Sequence, residues 1–283
     1  MPVLDAPPVP SRLRRLVVRG RPLVMGILNV TPDSFSDGGV FAGTAAAVEH
    51  GLRMASEGAD LIDVGGESTR PGAEAVSAET ELSRVIPVIA QLAGALRIPI
   101  SVDTSKAEVA FQAIEAGASI INDVTALRGD PQMSAVAARS GASVILMHMR
   151  GTPRTMQRAP RYRDVVGEVA GFLREAAGRA EAAGIPRARI LLDPGLGFGK
   201  TVEHTLVLLR SLDRLVALGY PVVVGPSRKS FIGATLDAGV EDRLAGTLAC
   251  VAWAQRGKAR IVRVHDVQPA VHLLKMLEAI EAS

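Results

Sequence analysis

The chemistry in this sequence sits where short apolar runs end. The runs begin at Leu23, Asp60, Ile98, Ser119, Ser143, Ala188, Pro221 and Arg260, and each passes into residues that can bind, donate or accept. Asn29 follows the first and Asp63 closes the second. Asp103 ends the third, and Asn122-Asp123 end the fourth. His148 follows the fifth, and Asp193 with Pro194-Gly195-Leu196-Gly197-Phe198-Gly199-Lys200 follows the sixth. Ser227-Arg228-Lys229 follows the seventh, and Arg263-Val264-His265-Asp266 closes the eighth. A single polar residue at a strand end is usually a helix cap or turn former, and Asp63, Asp123 and Asp266 fit that reading. Eight such ends mixing carboxylates, amides and cations imply more, because buried polar groups need partners and a polar ligand can supply them.

The residue types divide the work. Arg263, His265 and the helix after Ser227 suit an anionic phosphate. Asp103, Asn122 and Asp193 offer acceptors and an amide, as a flat heterocycle with ring N–H and amino groups requires. Asn29 can offer a carbonyl oxygen to Mg²⁺, which favours oxygen ligands shared with substrate phosphates. No Cys/His cluster with zinc spacing occurs. Gly199-Lys200-Thr201 looks like the end of a phosphate-binding P-loop, but that motif needs glycine at 194, where this chain has Pro194.

The elements that would position these groups are legible. Strands are expected at 23–28, 60–64, 98–102, 119–122, 143–147, 188–192, 221–225 and 260–264, mostly as near-continuous apolar runs, the mark of parallel strands buried on both faces. Between them, helices are expected at 44–57, 77–93, 164–183, 204–218, 241–256 and 266–281, with Pro87 kinking the second. A capping box of Ser105 with Glu108 would start a further helix that Gly117 stops, and Asp130-Pro131 would start another. Eight strand–helix repeats indicate a single-domain (β/α)8 TIM barrel over 22–283. A doubly wound sheet would need a glycine fingerprint after the first strand, where the chain reads Asn29-Val30-Thr31-Pro32-Asp33.

Composition agrees. Aromatics are 3% of 283 residues, so the core must be aliphatic. The net charge of +3 is local: residues 1–22 hold five arginines against Asp5 alone, and the remainder carries about −1. That argues against a nucleic-acid partner, for which a basic stripe with interleaved aromatics would be expected. Residues 1–21 read as a flexible Arg/Pro-rich tail without the apolar core of a signal peptide, and no run approaches membrane-spanning length. Cys250 falls in an apolar helical run as a small core residue. A soluble cytoplasmic protein is expected.

Long segments resemble one family. Residues 26–39 (GILNVTPDSFSDGG), 63–72 (DVGGESTRPG), 193–201 (DPGLGFGKT), 227–233 (SRKSFIG) and 263–267 (RVHDV) are similar, in order, to dihydropteroate synthases. The resemblance spans roughly 22–275. It implies a folate-pathway transferase that joins (7,8-dihydropterin-6-yl)methyl diphosphate to p-aminobenzoate with Mg²⁺, acting as a homodimer and as the target of sulfonamides. It further implies that Asn29 binds Mg²⁺ and that Asp103, Asn122, Asp193 and Lys229 hold the pterin, with Thr69 beside them. Arg263 and His265 would grip the diphosphate. Thr69, Arg70, Pro71, Phe198 and Ser227 would shape the p-aminobenzoate site, and Asp37 would stabilise a cationic intermediate. A pterin-barrel methyltransferase would not need Ser227-Arg228-Lys229 or Arg263-Val264-His265. A catalytically silent pterin-binding paralogue is the alternative, and would be expected to lose one of these contacts.

Overall fold

The structure is a computed structural model that describes residues 21–31, 39–69 and 72–283. All of the tail expected over 1–21 except Arg21, and the candidate residues Asp37, Arg70 and Pro71, lie outside them. Eight parallel strands are present: β1 Leu23–Asn29, β2 Leu61–Gly65, β3 Ile100–Asp103, β4 Ile120–Asp123, β5 Ser143–Met147, β6 Ile190–Asp193, β7 Val223–Val224 and β8 Ile261–Val264. Their order is β6-β5-β4-β3-β2-β1-β8-β7, and a parallel bridge between Leu192 and Val222 joins β6 to the far edge. The sheet therefore closes as a (β/α)8 barrel, and the doubly wound alternative is excluded.

Two-residue alternation divides each strand between two environments. Outward residues such as Val24, Ile62, Val102, Ile121 and Val262 join a large core under the helices. Inward residues Leu23, Met25, Leu61, Ile120, Ile145, Leu191, Val223 and Ile261 form a separate apolar plug inside the barrel. One step further towards the C-terminal end, the same inward rows reach Asp63, Asp103, Asn122, Asp193 and Arg263. The plug is thus a floor and the polar residues are what stands on it.

The helices cover the outside, and several begin differently from expectation. The helix after β3 spans Ala107–Glu115 with Lys106 at its N-cap and no side-chain cap, so the Ser105–Glu108 box does not form. Lys106 Nζ is instead drawn to Glu67 and Glu81, while the Ala107 N–H donates to Asp130 Oδ2 at 2.9 Å. Gly117, at φ +114°, does follow the end of this helix. Asp130 accepts from the Gln132 N–H in a turn, and the next helix starts only at Met133. The segment expected as one helix over 204–218 is two, Val202–Arg210 and Leu212–Val216, meeting at Ser211. Ahead of Leu244–Arg256 lies a 3-10 turn at Glu241–Arg243. Pro87 lies inside Ala78–Ala95. Cys250 is only partly buried against the core, and burial pushes its thiol up to about 11.

At the opposite end, Arg21 belongs to the barrel rather than to a loose tail. It is 5% exposed, and its Nη1 donates to Asp60 Oδ2 at 3.0 Å; the same oxygen accepts from the Val24 N–H at 2.9 Å. Among the described residues no helix is long and apolar enough to cross a membrane.

Candidate functional site

The mouth of the barrel is organised around Arg263. Its Nε donates to Asp63 Oδ2 at 2.6 Å and its Nη2 to Asp103 Oδ2 at 2.9 Å, which ties β8 to β2 and β3 across the lumen. Asn122 Nδ2 donates to the same Asp63 oxygen at 3.0 Å. Asp63 is fully buried, and its other oxygen, Oδ1, has no hydrogen-bond partner. It is therefore an organiser of the site and not the strand-end cap expected from the sequence. Asp123 does act as a turn former: it points outward and accepts from the Thr125 N–H and Oγ1 and the Leu127 N–H. Asp266 is spent on Arg228 in a two-bond pair at 2.6 and 3.0 Å.

On the β6 and β7 side, Asp193 Oδ1 accepts from the Gly195 N–H at 2.7 Å. Lys229 Nζ donates to the Leu196 carbonyl at 2.6 Å and lies 4.5 Å from the centre of the Phe198 ring. Lys229 is held there because Arg228, just before it, adopts φ +55°, with its N–H on Thr247 Oγ1 and its carbonyl accepting from Arg243. Ser227 Oγ accepts from the His265 N–H at 3.1 Å and is 3.0 Å from His265 Nδ1. Phe198 also packs on Met147, Met149 and Met156. Thr69 is half-buried at the rim.

The electrostatics follow from crowding charges on an apolar floor. Burial pushes the Asp103 carboxyl up from its ordinary range, and Arg263 pulls it back. Burial does the same to Asp193, opposed mainly by Lys229. Burial draws the Lys229 ammonium down to about 8, against the pull of Asp193. Three carboxylates share two cations, so the cluster suits a neutral ligand rich in N–H groups.

Asn29 is half-buried on the inward row of β1, paired in register with Gly65. Among the described residues no group of three or more His, Cys, Asp or Glu side chains could hold a metal. One amide oxygen at the mouth fits Mg²⁺, which usually keeps waters and takes one or two protein ligands plus substrate phosphates. Lys200 is buried with its Nζ on the Phe198 carbonyl at 2.9 Å and on His148, so it is no phosphate ligand. The sequence reading missed both its role and that of Asp63; period-two spacing from Leu61 was the signal available for Asp63.

The arrangement joins Asp103, Asn122, Asp193, Lys229, Ser227, Arg263 and His265 around one mouth. A family model described as "Pterin binding enzyme" matches residues 25–265. The dihydropteroate synthase of Synechocystis sp. is 48% identical over 275 residues, 97% of this chain and 95% of that one. Among solved structures, Xanthomonas albilineans dihydropteroate synthase with 4-aminobenzoic acid superposes with a TM-score of 0.88 at 51% identity, covering 93% of this chain and 94% of that one. The Xanthomonas enzyme in complex with 7,8-dihydropteroate gives 0.84 at 48% identity, covering 93% and 95%. With its motifs in order around a single mouth and these likenesses over almost its whole length, the chain belongs to the dihydropteroate synthase family of pterin-binding enzymes.

Proposed function

We infer that the protein condenses (7,8-dihydropterin-6-yl)methyl diphosphate with p-aminobenzoate, releasing diphosphate and 7,8-dihydropteroate. The observation that carries this reading is the ring of Asp103, Asn122, Asp193, Lys229 and Arg263 on the apolar floor. The acceptors hold the ring N–H and amino groups of the pterin. Lys229 and Arg263 place positive charge beside it, and Arg263 and His265 face the diphosphate. The C–O bond to diphosphate breaks and the aryl amine forms the new C–N bond, losing its extra proton to water. No protein nucleophile is required, and preorganised charge is the larger part of the catalysis. Phe198, Ser227 and Thr69 would form the p-aminobenzoate side; by the family resemblance Arg70 and Pro71 would join them and Asp37 would stabilise the electron-poor methylene.

Mg²⁺ would be held by Asn29 together with the substrate's diphosphate. When bound, the ion takes up negative charge on the leaving group. Removing it by chelation is expected to suppress turnover, with restoration by added Mg²⁺.

The test is to follow diphosphate and dihydropteroate with both substrates and Mg²⁺, beside an Asp193→Ala control. Product that disappears in the control supports the reading. Pterin diphosphate binding without product would instead establish a silent paralogue.

We also propose a homodimer formed through the last two helices, Leu244–Arg256 and Val267–Glu281, where Trp253, Met276 and Ile280 are 42%, 60% and 58% exposed and Trp253 and Leu277 line a groove. Ile280→Lys is expected to halve the mass in light scattering. A cytoplasmic site of action is part of the same proposal, and cell fractionation tests it.

A further inference from the structure

The loop between β6 and the following helix, residues 194–201, is held in an unusual way. Four successive carbonyls each accept from a side chain. Leu196 O takes Lys229 Nζ at 2.6 Å, and Gly197 O takes Gln157 Nε2 at 2.6 Å. Phe198 O takes Lys200 Nζ at 2.9 Å, and Gly199 O takes Tyr162 Oη at 2.8 Å. Lys229 already has a place in the site; the other three have no role in the reaction as argued so far.

Lys200 is the deepest of them. It is almost fully buried, and its Nζ also lies 2.9 Å from His148 Nδ1 and 3.3 Å from the His148 carbonyl. Three N–H groups thus meet three acceptors, so an amine taken out of water is fully satisfied. Burial holds the His148 ring near 3, which leaves its Nδ1 free to accept. The backbones are pressed together at the same place. Gly195 and Gly199, both at φ +63°, lie so close to the His148 and Arg150 carbonyls that a Cβ on either would overlap them. Residues 148–150 therefore form the wall against which the 194–201 loop is clamped, and Lys200 is the clamp.

We propose that Lys200 is a positioning residue for the second substrate: it fixes the Phe198 backbone so that the ring stands against Lys229 before the aryl amine arrives. The inference rests on the reading of Phe198 as part of the p-aminobenzoate side. Fixing the loop in advance spares the entropy of ordering it on binding. Asp103, Asn122 and Arg263 are tied to other strands, so loss of the clamp leaves these pterin contacts in place.

The experiment compares steady-state kinetics of the wild type, Lys200→Met, Phe198→Ala and the double variant. Lys200→Met is expected to raise the KM for p-aminobenzoate about tenfold while that for the pterin diphosphate stays within about twofold. In the Phe198→Ala background the same substitution should add little, because the two act as one unit. Equal rises in both KM values, no rise in either, or additive effects in the cycle would overturn the inference. If Lys200→Met loses its cooperative melting transition, Tyr162→Phe decides, since it removes only the donor to Gly199 O; a selective rise of about threefold is expected, and no selective rise overturns the proposal. A wild type that makes no dihydropteroate sinks the synthase reading itself, whereas turnover with unsplit KM values removes only the role given to Lys200.

Discussion

Lys229 is where pH acts most directly on this site. Burial lowers its ammonium to about 8, and only the protonated form carries the charge that faces Asp193 and the bound substrate. Activity that needs the cation is present below that value and lost as pH rises through it. kcat/KM for the pterin diphosphate should therefore fall above about pH 8, the free-enzyme pKa being what that parameter reports. Lys229→Arg, with a guanidinium that stays charged, should keep a lower activity that is flat to about pH 10; an unmoved alkaline limb would assign it to another group. Asp63 makes a second case. Its one oxygen serves both Arg263 and Asn122, so Asp63→Asn should weaken pterin diphosphate binding in calorimetry by roughly tenfold or more, the worth of about 1.5–3 kcal/mol for a bond to a charged group. Unchanged affinity would return Asp63 to a purely structural role. An aspartate near a strand end is most often a cap, and composition cannot reveal that this one points inward onto an arginine 200 residues away.

Elements were legible wherever the local pattern agrees with the global fold. The apolar runs recovered all eight strands to within a residue or two, because a strand buried on both faces has no polar interruptions to blur it. Helix starts were less legible, since caps compete with tertiary partners. Lys106 is drawn to Glu67 and Glu81, and the Asp130 carboxylate reaches the Ala107 N–H, so neither expected cap formed as read. The His204 side chain completes a capping box with Thr201 that the usual Glu/Gln rule does not find. The Arg21–Asp60 pair is another tertiary feature, and it anchors the start of β1. Asp60→Ala removes a partner from a buried guanidinium and from the Val24 N–H, and should cost roughly 3–5 kcal/mol in denaturant unfolding. A loss under about 1 kcal/mol would show that Arg21 finds water instead.

At the scale of the whole molecule, the barrel separates stability from chemistry along its axis. The apolar plug fills the lumen below, the polar ring occupies the C-terminal mouth above, and the inward row of each strand passes from one to the other. In Ile120–Asp123 the step is two residues: Ile120 is plug and Asn122 is site. This division explains why Asn29, Asp103, Asn122, Asp193 and Arg263 were readable as a set, each being the last inward position of its strand, while Ser227, Lys229 and His265 lie beyond the strand ends, where no strand period places them. It also makes a strong demand on energetics. Ile120→Ala should open a cavity in a rigid lumen and cost about 2–5 kcal/mol, because strands fixed by their ladders cannot collapse onto it. The KM for either substrate should nevertheless stay within about twofold at a temperature where the variant is folded, since the mouth is cross-tied independently by Arg263 to Asp63 and Asp103. If that KM instead rises with the loss of stability, the plug sets the height and orientation of Asn122 directly, and floor and site form one cooperative unit.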